Sequence, residues 1–284
     1  MTRFIWRRFA ILAVLAGIST GVFATGFENG MPTGWICEGN CGTSPEDGVV
    51  TLSPTGAAQY GWVATTGSAF RGATLPGIGG TNGSRLRSPL FSAESGDELV
   101  FHFNYVTSDG GGFADYAWAR VLDESMEQVA LLFTARTRST GSIVPGFGMP
   151  DVEAQLTPES VEIIRGGPVW SPLGSDSGRC WSGGCGYTGW VHSSYAFPET
   201  GNYILEFGVV NWSDTAYQSG LAFDGVMVGG NPIGGDPDYR DVTVLATLSR
   251  QGIELDPASF LVAPVRAETL DDRIEIEWFF ESFT

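Results

Sequence analysis

Short apolar runs, cut apart by glycine and proline, constrain this chain more than any other feature. Forty Gly and 15 Pro punctuate segments rich in Val, Phe, Tyr, Trp and Leu. Such runs are too short for ordinary helices, and their flanks carry residues that avoid element interiors. Extended segments are predicted at 49–52, 59–65, 85–91, 98–107, 115–122, 128–135, 187–195, 202–212 and 220–228. Tyr203, Leu205, Phe207 and Val209 alternate onto one face, the period of a half-buried strand. On the same reading Asp224 shares a face with Ala222, Val226 and Val228. Many short strands and little helical periodicity predict an all-β fold, an antiparallel β-sandwich of jelly-roll type. The best helix candidate is a short turn at 158–163, and no internal repeat is present.

Two stretches break the rhythm. Arg136 to Gly186 is about fifty residues of loop-like sequence, longer than ordinary connections, and needs its own anchors. Trp170, Trp181 and a cysteine pair are placed to supply them. Residues 230–238, Gly-Asn-Pro-Ile-Gly-Gly-Asp-Pro-Asp, read as a linker. The expected organisation is a signal peptide at 1–24, a β-sandwich at 25–229, that linker, and a small C-terminal β-rich extension at 239–284. In the extension, 241–249 and 273–280 read as strands.

Arg3, Arg7 and Arg8 precede an apolar run from Ile11 to Phe23 that ends in Val22-Phe23-Ala24. This is the order of a secretory signal cleaved after Ala24; a retained anchor is the alternative. Export makes the four cysteines disulfide formers. Cys37 and Cys41 are close in sequence, as are Cys180 and Cys185, so two local bridges are expected, with a long-range pairing as the alternative. A four-cysteine metal site is disfavoured by the spacing. All basic residues are Arg, and loss of the three in the signal takes the formal charge from −17 to −20. That balance argues against nucleic acid or an anionic membrane as partner.

Carboxylates and aromatics supply the candidate sites. Glu28 opens the mature chain, and Asp224 sits among apolar residues of the last main strand, where an ionised group needs a partner or a cation. Asp109 and Asp115 flank a glycine run. Hard oxygen donors on loops suit Ca²⁺, so Glu28 and Asp224, completed by Asp109 or Asp115, are the expected ligands. The competing reading is turn residues and solvated acids. Trp170, Trp181, Tyr187 and Trp190 crowd around the second cysteine pair. They suit either a satellite core under the long loop or a ligand-binding platform that stacks on sugars. No catalytic residue stands out: His102 and His192 lie in strand-like runs, and no nucleophile elbow or phosphate loop accompanies them.

Six stretches carry a family resemblance: Phe27-Glu-Asn-Gly-Met-Pro-Thr-Gly-Trp35, Gly112-Phe-Ala-Asp-Tyr-Ala-Trp-Ala-Arg120, Trp170-Ser-Pro-Leu-Gly174, Cys180 through Trp190, Phe207-Gly-Val-Val-Asn-Trp212 and Ser219-Gly-Leu-Ala-Phe-Asp-Gly225. Through them the chain resembles an exported bacterial family of jelly-roll-like proteins that often carry a PEP-CTERM sorting tail. The resemblance spans most of residues 27–229 and implies a secreted β-sandwich with no established enzymatic activity. A surface or extracellular-matrix setting would follow from the tail, but no Pro-Glu-Pro motif, apolar helix or basic end follows Gly230.

The sequence therefore leads to an exported, non-enzymatic β-sandwich with a binding or structural role. Its expected partners are an extracellular polysaccharide or a surface protein, with calcium as a stabilising ion. The alternative is a polysaccharide-active enzyme using a carboxylate pair.

Overall fold

A computed structural model of the protein describes residues 26–234 and two further short strands, Glu268–Leu270 and Arg273–Glu275, which pair with each other. The signal peptide, the end of the linker and most of the C-terminal extension, including the strand expected at 241–249, lie outside the described residues. Seventeen strands precede residue 235: β1 (Ile36–Glu38), β2 (Asn40–Ser44), β3 (Tyr60–Ala64), β4 (Gly83–Arg87), β5 (Phe91–Ala93), β6 (Glu98–Thr107), β7 (Tyr116–Asp123), β8 (Gln128–Arg136), β9 (Ser142–Val144), β10 (Gln155–Thr157), β11 (Val161–Glu162), β12 (Ile164–Arg165), β13 (Gly186–Tyr187), β14 (Val191–Ala196), β15 (Gly201–Val210), β16 (Ser219–Val228) and β17 (Asn231–Pro232).

Fifteen of these strands build two antiparallel sheets, and β9 pairs with β11 in a separate two-stranded one. The first runs β1-β4-β15-β7-β8, with β5 also on β15. The second runs β10-β14-β6-β16-β3-β2, extended by β13 on β6, β12 on β13 and β17 on β16. The chain changes sheets between β1 and β2, and the Cys37–Cys41 disulfide closes that corner across a Cα separation of 6.1 Å.

Alternation puts the inward side chains where the sequence pattern implied. Leu99, Phe101, Phe103 and Tyr105 of β6 face Leu205, Phe207 and Val209 of β15, all fully buried in one core. Two ring stacks join the sheets: Phe103 on Phe133 at 3.7 Å and Phe207 on Phe223 at 4.1 Å. Each is worth about 0.5–1.5 kcal/mol beyond its buried area. Gly208 leaves room for the Trp118 indole, which lies 2.1 Å from where a Cβ would stand. Outside the first sheet, Tyr116, Trp118, Leu131 and Val210 are covered by Ala73 and Leu75. Beside them β15 carries Glu206, flanked in register by Arg87 on β4 and Arg120 on β7.

Four expectations change. Residues 158–163 form no helix; β11 and β12 occupy this region. The stretch 136–186 is not simply loop, because β10 pairs with β14 and β12 pairs with β13. Pieces of two or three residues are too short to show a period of two. The segment 49–52 is no strand; Val50 instead makes a single bridge with Asp47 and packs beneath Trp170. The first residues of the expected linker join the sandwich: β17 pairs with Met227 and Val228, and Ile233 is buried. Among the described residues no helix is long and apolar enough to cross a membrane.

Candidate functional site

β16 corrects the face assigned to Asp224. The register shifts between Asp224 and Met227, with Gly225 at φ +67°. This bulge turns Val226 and Val228 to the inter-sheet core with Leu221 and Phe223. Ala222 packs on the opposite, outer side. An extra residue reverses the alternation beyond it, so Asp224 does not share the face of Val226 and Val228. Asp224 is buried and accepts hydrogen bonds from the Ser53 hydroxyl and from Thr55 Oγ1 at 2.7 Å. Across β6 and β14 it continues a row with His102 and His192, whose rings are 5.0 Å apart. Burial, then the charge of His192, holds the His102 pKa below its ordinary value, against the pull of Asp224. Ser53 directs its hydroxyl at the carboxylate, the reverse of the imidazole-bound serine that nucleophilic catalysis needs.

The expected calcium ligands fall in two places. The Glu28 carboxylate accepts the Gly26 N–H at 2.9 Å, and Phe27 packs on Phe223, next to Asp224. Asp115 instead bonds Ser219 Oγ at 2.7 Å. Five residues of β16 separate Ser219 from Asp224, roughly 16 Å of strand, so one ion cannot be held by Asp224 and Asp115 together. Among the described residues no three His, Cys, Asp or Glu side chains converge as a metal cluster.

Three of the four expected platform aromatics belong to a satellite core on the outer side of the second sheet. Trp170 is fully buried against Tyr60, Val106 and Leu173, and its Nε1–H donates to Tyr60 Oη at 3.0 Å. Half-buried Trp190 donates to the Thr51 carbonyl at 3.0 Å, and Tyr187 packs on the same cluster. Trp170 therefore has no face for a ligand. A large ring beside a long loop gains most by filling the space beneath it.

Trp181 is different, being 52% exposed at the end of the sandwich where β6, β8 and β15 finish and β7 and β16 begin. The Cys180–Cys185 disulfide, with a Cα separation of 5.6 Å, frames its loop. The Trp181 N–H donates to the Ser108 carbonyl at 3.0 Å, and the Gly111 N–H to the Gly183 carbonyl at 3.0 Å. Tyr217 lies 5.0 Å from the Trp181 ring and Phe113 lies 6.3 Å from it. Tyr217 has φ +53°, a left-handed conformation that costs a bulky residue about 1–2 kcal/mol. Observed strain of this kind concentrates at functional sites. On the other side of residue 217, Thr215 and Gln218 line a shallow cleft of about 430 Å³ with Arg71 and Asn82.

Beneath this end lies a buried polar network. Asp115 accepts the Ser219 hydroxyl and, at 2.9 Å, the Trp212 N–H. The Asp109 Oδ1 accepts the Gly110 N–H at 2.6 Å, while its buried Oδ2 has no hydrogen-bond partner. Burial pushes the Asp109 pKa up to about 7, opposed by the Gly110 N–H and reinforced by Asp214 and Asp176. Burial and then the charge of Asp109 hold Asp115 well above the usual carboxylate range.

The sequence reading missed Phe113, Tyr217 and the arginines around them. Arg179 lies over Tyr217 at 5.4 Å, Arg136 over Trp212 at 5.1 Å and Arg138 over Phe147 at 4.6 Å. Their only sequence signal is Arg136-Thr-Arg138 at the end of β8, a weak one, because the rings come from distant loops.

No protein-family model matches the sequence, and no curated protein matches it. Among solved structures it is similar to the K1 cleaved adhesin domain of Lys-gingipain from Porphyromonas gingivalis W83, at 12% identity over 72% of this chain and 96% of that one, with a TM-score of 0.35. The K3 cleaved adhesin domain of the same protein matches at 16% identity over 72% and 95%, with a TM-score of 0.37. The enzymatically active domain of bacteriophage CBA120 tailspike protein 4 matches at 12% over 72% and 20%, with a TM-score of 0.32. Scores of this size leave the architecture to rest on the strand pairing itself: an antiparallel β-sandwich with two local disulfides.

Proposed function

We propose that the protein is an exported, non-enzymatic binding module that holds extracellular polysaccharide at the cell surface or in the extracellular matrix. The observation that carries this reading is Trp181, a large exposed ring fixed by a disulfide-framed loop and flanked by Tyr217 and Phe113. Rigid aromatic faces supply contact area at little entropic cost, and sugar C–H faces stack on them. Local disulfides fit an oxidising compartment, in line with the export signal. The burial of Asp109 and Asp115 withdraws both from a bound chain, which favours binding over hydrolysis by a carboxylate pair. A structural Ca²⁺ belongs to this proposal only at the Glu28–Asp224 end, where Phe27 meets Phe223.

The test is a glycan array probed with mature protein and with Trp181→Ala. Trp181 packs only at the surface, so the variant should keep its melting temperature and lose at least tenfold in affinity, about 1.4 kcal/mol. Unchanged binding would move the ligand away from this end. Release of reducing ends from a bound polysaccharide would favour the enzyme reading instead.

A further inference from the structure

The arginines are unevenly used. Eight lie within residues 26–234, one of them, Arg71, in the cleft beside Thr215 and Gln218. Arg85, Arg87 and Arg120 are engaged on the outer side of the first sheet by Glu38 and Glu206. Arg179 pairs with Asp176 at 3.1 Å but is largely exposed. Arg136, Arg138 and Arg165 have no carboxylate at ion-pair distance among the described residues. All four of this second group lie at the Trp181 end. Arg136 donates to the Ala114 carbonyl at 3.2 Å, and Arg165 to the Ser139 carbonyl at 3.0 Å. The Arg138 backbone abuts Gly184 inside the Trp181 loop and Gly111, whose N–H bonds that loop at Gly183.

Three of these guanidiniums lie over rings that themselves reach solvent: Trp212, Phe147 and Tyr217. The surface therefore alternates aromatic faces with planar cations on a protein whose formal charge is −17. Of the carboxylates at this end, Asp214 is partly exposed and the others are withdrawn or shared. Asp109 and Asp115 are buried, and burial disfavours their ionised forms. Asp176 is paired with Arg179, whose guanidinium is still largely exposed. A guanidinium fork matches a carboxylate in two parallel hydrogen bonds, and a ring beside it receives an apolar face.

Resting on the polysaccharide reading above, we propose that the ligand is anionic, a uronate polysaccharide whose sugars stack on Trp181 and Tyr217 while its carboxylates engage Arg138, Arg165 and Arg179. A nucleic acid offers stacking and charge too. The acidic remainder of this protein repels either polyanion alike, so the local match of guanidinium forks to sugar carboxylates carries the choice, and the oligonucleotide arm of the experiment decides it.

The experiment measures binding of the mature protein to polygalacturonate, to fully methyl-esterified polygalacturonate and to a dT oligonucleotide, in low and high salt. Polygalacturonate should bind at least tenfold more tightly than its uncharged ester, and the preference should shrink as salt screens it. Arg138→Gln and Arg165→Gln should each cost about fivefold on polygalacturonate, the size of a partly exposed ion pair, and leave the ester unaffected. Arg138→Lys should restore part of the affinity and all of the salt dependence. Equal binding of polygalacturonate and ester would overturn the anionic assignment while leaving the polysaccharide reading intact. Binding that survives Trp181→Ala would defeat the shared platform, and tighter binding of the oligonucleotide would replace the polysaccharide by nucleic acid.

Discussion

Replacing Glu206 by Gln tests the most concentrated electrostatic feature of the sandwich. Glu206 is fully buried on β15; Oε2 accepts Arg87 Nε–H at 2.7 Å and Oε1 accepts Arg120 Nε–H at 2.7 Å. Trp118 Nε1–H reaches Oε1 at 3.4 Å, and Arg85 stands 3.8 Å away. Each charge-assisted bond contributes about 1.5–3 kcal/mol. Breaking a buried ion pair on one side costs about 3–5 kcal/mol, because the remaining charge is left without compensation. Glu38 still serves Arg85 and Arg87 in the variant, so Arg120 is the residue that loses its carboxylate. The expected loss is therefore about 3–5 kcal/mol, or roughly 6–20 °C in melting temperature for a domain of this size. Urea unfolding of both proteins measures it, and an Arg120→Met cycle should give a coupling energy above about 1.5 kcal/mol. The pH dependence supplies a second check. Burial raises the Glu206 pKa, but the charge and hydrogen bonds of Arg120 and Arg87 outweigh it and the net shift is downward. A depressed folded pKa gives stability that is present above the unfolded value and lost as pH falls through the folded one. The gap between wild type and variant should accordingly close in acid. A loss below about 1 kcal/mol with no coupling would show that solvent screens this network, and the reasoning would fail.

Asp109→Asn addresses the opposite sign. With a folded pKa of about 7 against about 3.9 in an unfolded chain, the acid contributes fully below pH 4 and that contribution is lost as pH rises towards 7. Wild type should therefore lose up to about 1.4 kcal/mol per pH unit in that window from this group. The Asn variant should run flatter, and parallel stability curves would refute the burial argument. For the proposed calcium, chelation should lower the melting temperature, by the equivalent of about 2.7 kcal/mol if the ion had stood at a hundred times its dissociation constant. Asp224→Asn should abolish the response; identical curves with and without chelator would remove calcium from the proposal.

Local chemistry determined a good part of this protein. Glycine and proline spacing set the β class, and the run from Glu98 to Thr107 became β6 with the bounds expected of it. The alternation of Tyr203, Leu205, Phe207 and Val209 placed them in the core. Four- and five-residue separations made the two disulfides local. These properties depend on neighbours along the chain, and the chain displays its neighbours. Tertiary structure alone decided the rest. One extra residue at Gly225 reversed the face of everything after Asp224, a shift that no local pattern announces. Trp170 and Trp181 stand eleven residues apart in the same kind of sequence. One fills the space over Tyr60 and the other faces solvent, because what covers a ring comes from elsewhere in the chain. β15 brings Glu206 to Arg120, whereas no carboxylate among the described residues stands at ion-pair distance from Arg138. Charge pairing and exposure are set by contacts between distant segments, so the proposed binding surface became visible only once the two sheets had closed.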